Sequence, residues 1–532
     1  PQKNLLCMHH IVLGKVKSTS KLGLNQSHLE KLIKMLAQIK NYTLVILNLK
    51  DSMLFSKKRL FKHLLTVIIV YLLNCNLVMA DFFQNISNLI ENNVDRLSYG
   101  VSVTDINKDG KFEFVVTGFG ADNLALGYED GIIKNLVKNN NFNDTDRRTI
   151  GVAACDIDQD GYEEVYFLNT DTYSGEKQYS DRLLDIKQNQ IIDLFSLDKN
   201  MKELNYTAGR SVACVDREGN GKYGIYIANY GGPTRFYEYH NGSISDKAPE
   251  LKIDQITGGR AIVVGHILSD YNDIFAANER GANFLYRNDN GNFVDVANEF
   301  EVQDIFQNGR GTTLSNIFYD GELGIINGNW MGYHRTYVRM GDKFKDIAKP
   351  DFDTPTRVRT VISADFDNDG YDEVFINNIG EPNKLFKILQ SGEFEKIDLN
   401  QALEPNGLGT GAAVADIDND GILELLISHG ESGEQPLSLY KANVPSNHKY
   451  IRIKPINTFG APARGATVKL YSDQRIHAKT IDAGSGYLCQ MEPVAHYGIR
   501  NSEVIEKIEV KWTNGEVTEY KDFKINETLV IN

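Results

Sequence analysis

The sequence predicts an all-β protein, a seven-bladed β-propeller followed by a small β domain. Three observations carry this: five acidic, glycine-containing loops, short β-branched runs flanking each loop, and a recurrence of about fifty residues. The loops are DINKDGKFE from Asp105, DIDQDGYEE from Asp156, DREGNGKYG from Asp216, DFDNDGYDE from Asp365 and DIDNDGILE from Asp416.

Four loops keep an oxygen-bearing side chain at positions 1, 3, 5 and 9, with glycine at position 6. The candidate ligands are Asp105, Asn107, Asp109 and Glu113; Asp156, Asp158, Asp160 and Glu164; Asp365, Asp367, Asp369 and Glu373; and Asp416, Asp418, Asp420 and Glu424. Alternating carboxylates around a glycine bend suit a hard cation, which points to Ca2+. The flanks exclude an EF-hand, which needs a glutamate at position 12 and a helix on each side. Here the flanks are SVTD and FEFVVTG, AACD and EVYFLN, ISAD and EVFINN, AVAD and ELLISHG, which read as strands. A hairpin turn needing no ion is the plainer alternative for any single loop. Four copies of the full ligand pattern favour the ion.

Two eroded copies extend the repeat. His266 and Asn316 stand where the first aspartate is expected, so the anchors run 105, 156, 216, 266, 316, 365 and 416. Arg210, Arg260, Arg310 and Arg359 each precede an anchor by six residues. They read as hydrogen-bonding groups between neighbouring blades, with a basic ring that captures an anion as the alternative. His266 reads as a degenerated ligand position. Blade six shows the unit as VISADFD, EVFINN, KLFKILQ and EFEKIDL, whereas blade seven lacks its fourth strand. The segment DFFQNIS at 81–87 resembles the missing piece and is expected to close the ring, removing two exposed sheet edges. The propeller is thereby placed at 81–443.

Net charge is −14, which argues against a nucleic-acid partner. From Met53 the chain reads as a basic stretch, an apolar run from Leu64 to Leu73 and a small-residue site ending at Ala80. Residues 53–80 are therefore expected to be a secretory signal, and 1–52 an upstream segment without structure. The apolar run is short for a bilayer span, and no second one follows, so a secreted product without a membrane span is expected. Sequons at Asn85, Asn143, Asn205, Asn241 and Asn526 agree with secretion and glycosylation. Beyond Ala80 the cysteines are Cys155, Cys214 and Cys489. Cys155 and Cys214 are offset by one relative to their loops, so they are expected to face opposite sides; a bridge between them is possible but not supported by the sequence.

Composition shifts after Asn443, and 447–532 reads as a separate β domain. It holds ARGATVKLYSD, EKIEVKW and, between them, GSGYLCQMEPVAHYGI. The acidic repeats resemble FG-GAP or VCBS repeats of the integrin-α class, and the C-terminal block resembles the ASPIC/UnbV domain. Together, over 81–532, they are similar to the cartilage acidic protein family. The resemblance implies a secreted, calcium-binding glycoprotein of the extracellular matrix or cell surface that engages extracellular or cell-surface proteins in adhesion. Calcium would be structural, and the loops would offer the partner surface. Glycans are the alternative partner, read by a central channel in which Trp330 and His334 could stack on a sugar. An enzyme is not expected, since no nucleophile–base set and no zinc spacing occurs. His448, His477 and His496 lack metal-ligand spacing, and His496 reads as a packed residue.

Overall fold

β-branched and aromatic residues on both sides of every acidic loop form antiparallel strands joined by that loop. The computed structural model describes residues 81–137, 142–187, 190–500 and 502–532. The expected segments 1–52 and 53–80 lie outside the described residues. Among the described residues no helix is long and apolar enough to cross a membrane.

Seven four-stranded antiparallel units follow one another, each starting with an inner strand; five are separate sheets, and the third and fourth are joined into one eight-stranded sheet where Gly224–Pro233 pairs with Ile256–Gly265. The inner strands are Ser98–Thr104, Thr149–Cys155, Gly209–Val215, Ile256–Gly265, Gly309–Ser315, Val358–Ala364 and Gly409–Ala415. Each packs on the next, and the last packs on the first, so the sheets close into a ring. Closure is completed as expected by Phe83–Asn85, which pairs antiparallel with Ser438–Ala442 through Phe83↔Ala442 and Asn85↔Tyr440. Second strands such as Glu164–Asn169 and Glu373–Asn378 are buried along their whole length, because neighbouring sheets cover both faces. That burial explains why their sequences are continuously apolar, not alternating.

Residues 450–532 build two further sheets. One joins Tyr450–Pro455 to Ala495–Gly498 and, in parallel, to Thr528–Ile531. The other orders Ile476–Thr480, Thr467–Ser472, Ile505–Lys511 and Val517–Tyr520. Ile451, Ile453, Val468, Leu470, Tyr497, Ile508 and Val510 pack between them. The domain is not separate, however: Ala80–Asn532 is one compact unit.

Cys155 and Cys214 form a disulfide with Cα atoms 6.2 Å apart, a pairing the sequence left open. They lie on inner strands of adjacent sheets packed face to face. Side chains pointing to opposite sides of equivalent sheets meet in the space between, so the offset that argued against a bridge is what permits it. Cys489 remains a buried free thiol. Of the sequons, Asn205 is fully buried and bonded to Asp181 and Asn229, so the folded chain cannot carry a glycan there, whereas Asn85, Asn241 and Asn526 are exposed.

Candidate metal centres under a capping domain

Each of the four complete loops is held by its own first and last ligand. One carboxylate oxygen of the position-1 aspartate accepts the position-6 glycine N–H, at 2.8 Å for Asp105, 2.9 Å for Asp156, 3.0 Å for Asp365 and 2.9 Å for Asp416. One oxygen of the position-9 glutamate accepts the N–H of position 2, for example Glu113 from Ile106 at 2.8 Å and Glu373 from Phe366 at 3.0 Å. The glycines adopt φ of +82° to +89°, which only glycine tolerates freely at this bend.

This bonding leaves oxygens to converge. Ligand atoms of Asp156, Asp158 and Glu164 lie within 4.8 Å of one another, as do those of Asp365, Asp367 and Glu373 and of Asp416, Asp418 and Glu424. Asp365 Oδ1 is buried without a hydrogen-bond partner. Burial, reinforced by neighbouring carboxylates, pushes Glu113 up to about 8 and Asp156 to about 6, and raises Glu164, Glu373 and Glu424. Buried carboxylates that resist ionisation need a cation beside them, so the donor set fits a hard divalent ion.

The four loops are not equivalent, and the difference comes from the neighbouring third strand. Lys387 and Lys441 stand directly opposite Glu373 and Glu424 in strand register. Lys441 Nζ lies 2.7 Å from Asp418, 2.8 Å from Asp420 and 2.5 Å from Glu424, so an ammonium already sits among the ligands. Lys387 does the same with Asp367, Asp369 and Glu373. In the second loop that register position holds Asp185, a further carboxylate that sequence reasoning missed. Its lysine, Lys187, reaches in from a half-exposed position. In the first loop Gly127 is opposite Glu113, and even a Cβ there would stand 3.2 Å from Glu113 Cγ. The first loop therefore has no lysine opposite its glutamate, and the second is reached only by the half-exposed Lys187.

The remaining loops are satisfied internally. Asp216 accepts Gly221 N–H at 2.8 Å and the Thr513 hydroxyl at 2.6 Å, and its position 9 is Gly224. Asp273 accepts the N–H groups of Ile267, Leu268 and Ser269, filling the loop anchored at His266. Asn316 Oδ1 accepts Gly321 N–H and, from the C-terminal domain, Ala478 N–H.

That domain covers the face bearing the loops. Asp365 Oδ2 accepts Gly498 N–H at 2.8 Å, Arg452 pairs with Asp416 at 2.7 Å, Lys511 pairs with Asp270 at 2.8 Å, and Phe112 beside the first loop lies under Lys454. The loops thus face the chain's own cap. Arg464, fully buried, bonds Glu163 and the Val103 carbonyl. The segment 483–492 then enters the channel. Gln490 exchanges hydrogen bonds with Val101 and Val103 backbones and bonds both the N–H and C=O of Ala154 through its side chain. Gly486 pairs with Thr312, Ala483 accepts Cys214 N–H, and Glu492 N–H reaches the Val414 carbonyl. The plug satisfies inner-strand groups that would otherwise line an open channel. Its only sequence signal was the unpatterned run GSGYLCQMEPVAHYGI.

The channel is therefore filled with protein on this side. His334 is no sugar platform either: it is fully buried, with Nδ1 accepting Asn329 N–H and Nε2 facing the Thr356 hydroxyl. It replaces Asn283 and Asn383, which accept the corresponding N–H groups of Asn278 and Asn378. His496 is packed as expected, against Asn368.

Residues 457–532 match the ASPIC and UnbV family, and 365–427 match the FG-GAP-like repeat. Cartilage acidic protein 1 of Xenopus tropicalis is 43% identical over 466 residues, covering 80% of this chain and 72% of the relative. The Mus musculus and Homo sapiens proteins of that name are each 44% identical, covering 80% of this chain and 72% and 70% of their own lengths. Solved structures show a coarser likeness. A BBS1N–ARL6DN complex aligns at 10% identity and TM-score 0.42 over 68% of this chain and 96% of the solved one. The BP39L lectin of Burkholderia pseudomallei aligns at 10% and 0.41 over 64% and 99%. Likeness at that level carries no functional information.

Proposed function

The chain belongs to the cartilage acidic protein family, and from that premise we propose that it is a secreted, extracellular-matrix type of interaction platform whose calcium is structural. The convergent oxygens of the acidic loops, with Asp365 Oδ1 buried and unpartnered, carry the calcium part of this reading. Asp156, Asp158, Asp160 and Glu164, with Asp185 beside them, would hold one ion, and Asp105, Asn107, Asp109 and Glu113 another. A bound divalent ion supplies the positive charge that these carboxylates lack. Asp365 and Asp416 also bond the cap, so loop order and cap seating are linked. The eroded and lysine-occupied loops fit a scaffold better than a sensor, since several are satisfied without an ion.

The test is thermal unfolding of the full chain with calcium, with magnesium and with excess chelator. Ions bound at one hundred times Kd stabilise by about 2.7 kcal/mol per site, so chelation should lower Tm by several degrees. An unchanged Tm in chelator would overturn the calcium assignment. Immobilised full chain exposed to matrix proteins, with and without calcium, tests the interaction reading.

A further inference from the structure

The face opposite the acidic loops carries a second constellation. Strand pairing slips near the start of every inner strand, as between Gly209 and Ser211, Gly259 and Ala261, Gly309 and Gly311, and Val358 and Val361. Such bulges re-aim the side chain they contain. Arg210, Arg260, Arg310 and Arg359 sit in these four, and their guanidiniums surround Tyr487 at the tip of the plug. Burial raises the Tyr487 hydroxyl, but the four cations outweigh it and hold the group below its ordinary value.

Charge in this bowl is unbalanced. Arg260 and Arg310 share Glu279, and Arg359 pairs with Glu431 of the neighbouring sheet. Among the described residues Arg210 pairs with no carboxylate, bonding Thr170, the Gly209 carbonyl and the Tyr173 carbonyl. Arg210 Nε and Arg359 Nη1 are buried without hydrogen-bond partners, although their residues are 5% and 4% exposed. Flat aromatic faces flank the cations: Arg260 lies 4.7 Å from the Tyr230 ring and Arg359 4.0 Å from that of Trp330.

The rim is apolar. Phe306 is 90% exposed just before its inner strand, and Met331 and Tyr333 follow a second strand, placing all three at this edge. Tyr173 occupies the corresponding turn of the second sheet and is also exposed. Arginine, tryptophan, tyrosine and methionine around a desolvated centre are the composition of protein-binding hot spots.

We infer that this bowl is the partner-binding face, and that it takes a protein segment presenting an acidic side chain flanked by apolar ones. The carboxylate enters among Arg210, Arg310 and Arg359, and the apolar neighbours cover Phe306, Met331 and Tyr173. A sugar acid would satisfy the arginines but not the exposed aliphatic and phenyl surface of the rim.

The inference rests on the platform reading, and its test separates the two. A phage-displayed random heptapeptide library is panned on the calcium-loaded full chain, and enriched sequences are remade as labelled peptides. They should pair Asp or Glu with aromatic or aliphatic residues. Binding should weaken at least about tenfold with Phe306→Ser or Met331→Ser, and equally when the peptide's acidic residue becomes its amide. Arg210→Gln should match that loss; the amide peptide gives the same information should that variant misfold. Failure to enrich peptides, enrichment without acid, indifference to the amide, or binding that survives both rim substitutions overturns the inference. Capture of acidic glycans in place of peptides does so too. Peptides that bind elsewhere sink this face but leave the platform standing, whereas calcium dependence is decided separately by the melting experiment.

Discussion

At the residue scale, the acidic clusters were legible because loop spacing alone sets them, within nine residues and one glycine bend. What decides among the loops was not legible, since Lys387, Lys441, Asp185 and Gly127 reach them across strand register. This yields a ranking. The second loop, with its extra carboxylate, and the first, opposite glycine, should bind calcium before the sixth and seventh. Replacing Lys441 by Ala removes the ammonium from among Asp418, Asp420 and Glu424, so calcium affinity at the seventh loop should rise about tenfold or more, read by titration calorimetry. Loss of affinity would mean that the lysine supports the site instead of competing for it. His334 gives a second test. Burial holds it at about 3, below the unfolded value near 6.5. The unfolded chain therefore binds the extra proton between these values, and stability falls as pH drops from about 6.5 toward about 3. From pH 7 to pH 5 the cost is about 2 kcal/mol for this group. His334→Asn restores the acceptor found at Asn283 and Asn383, so denaturant unfolding should show a shallower loss of stability in acid.

At the element scale, strands and ring closure could be read because β-branched runs and acidic turns are local signals that recur in every unit. The plug could not, since 483–492 has no regular pattern and takes its hydrogen bonds from inner strands far away in sequence. Gln490 concentrates that role: its side chain satisfies both backbone groups of Ala154 inside a dry channel. Gln490→Ala should cost about 2 to 4 kcal/mol, from two buried groups left unpaired. Equilibrium unfolding in urea measures it, and a change under about 0.5 kcal/mol would show that the plug is dispensable. The disulfide was hidden for a related reason. Facing directions inside one sheet are readable from sequence, but which faces meet between sheets depends on how the ring stacks.

At the scale of the whole molecule, the cap and the ring share their polar contacts at the acidic loops. Arg452 pairs with both Asp416 and Glu492, and Arg475 bonds the Gly370 carbonyl of the sixth loop while pairing with Glu503 inside the cap. An ion that ordered a loop would therefore also seat the domain above it. Two domains joined by a linker would melt independently, with chelation shifting only the ring. Shared contacts at the loops predict instead that scanning calorimetry in calcium shows one transition covering ring and cap, and that chelator lowers this transition as a whole. A second, calcium-insensitive transition assignable to 450–532 would mean that the cap folds on its own and merely rests on the loops. The arginine bowl lies at the far ends of the same inner strands, on the face that the cap leaves open. Removing calcium below the melting temperature should therefore leave peptide binding at the bowl within about twofold of its calcium-loaded value.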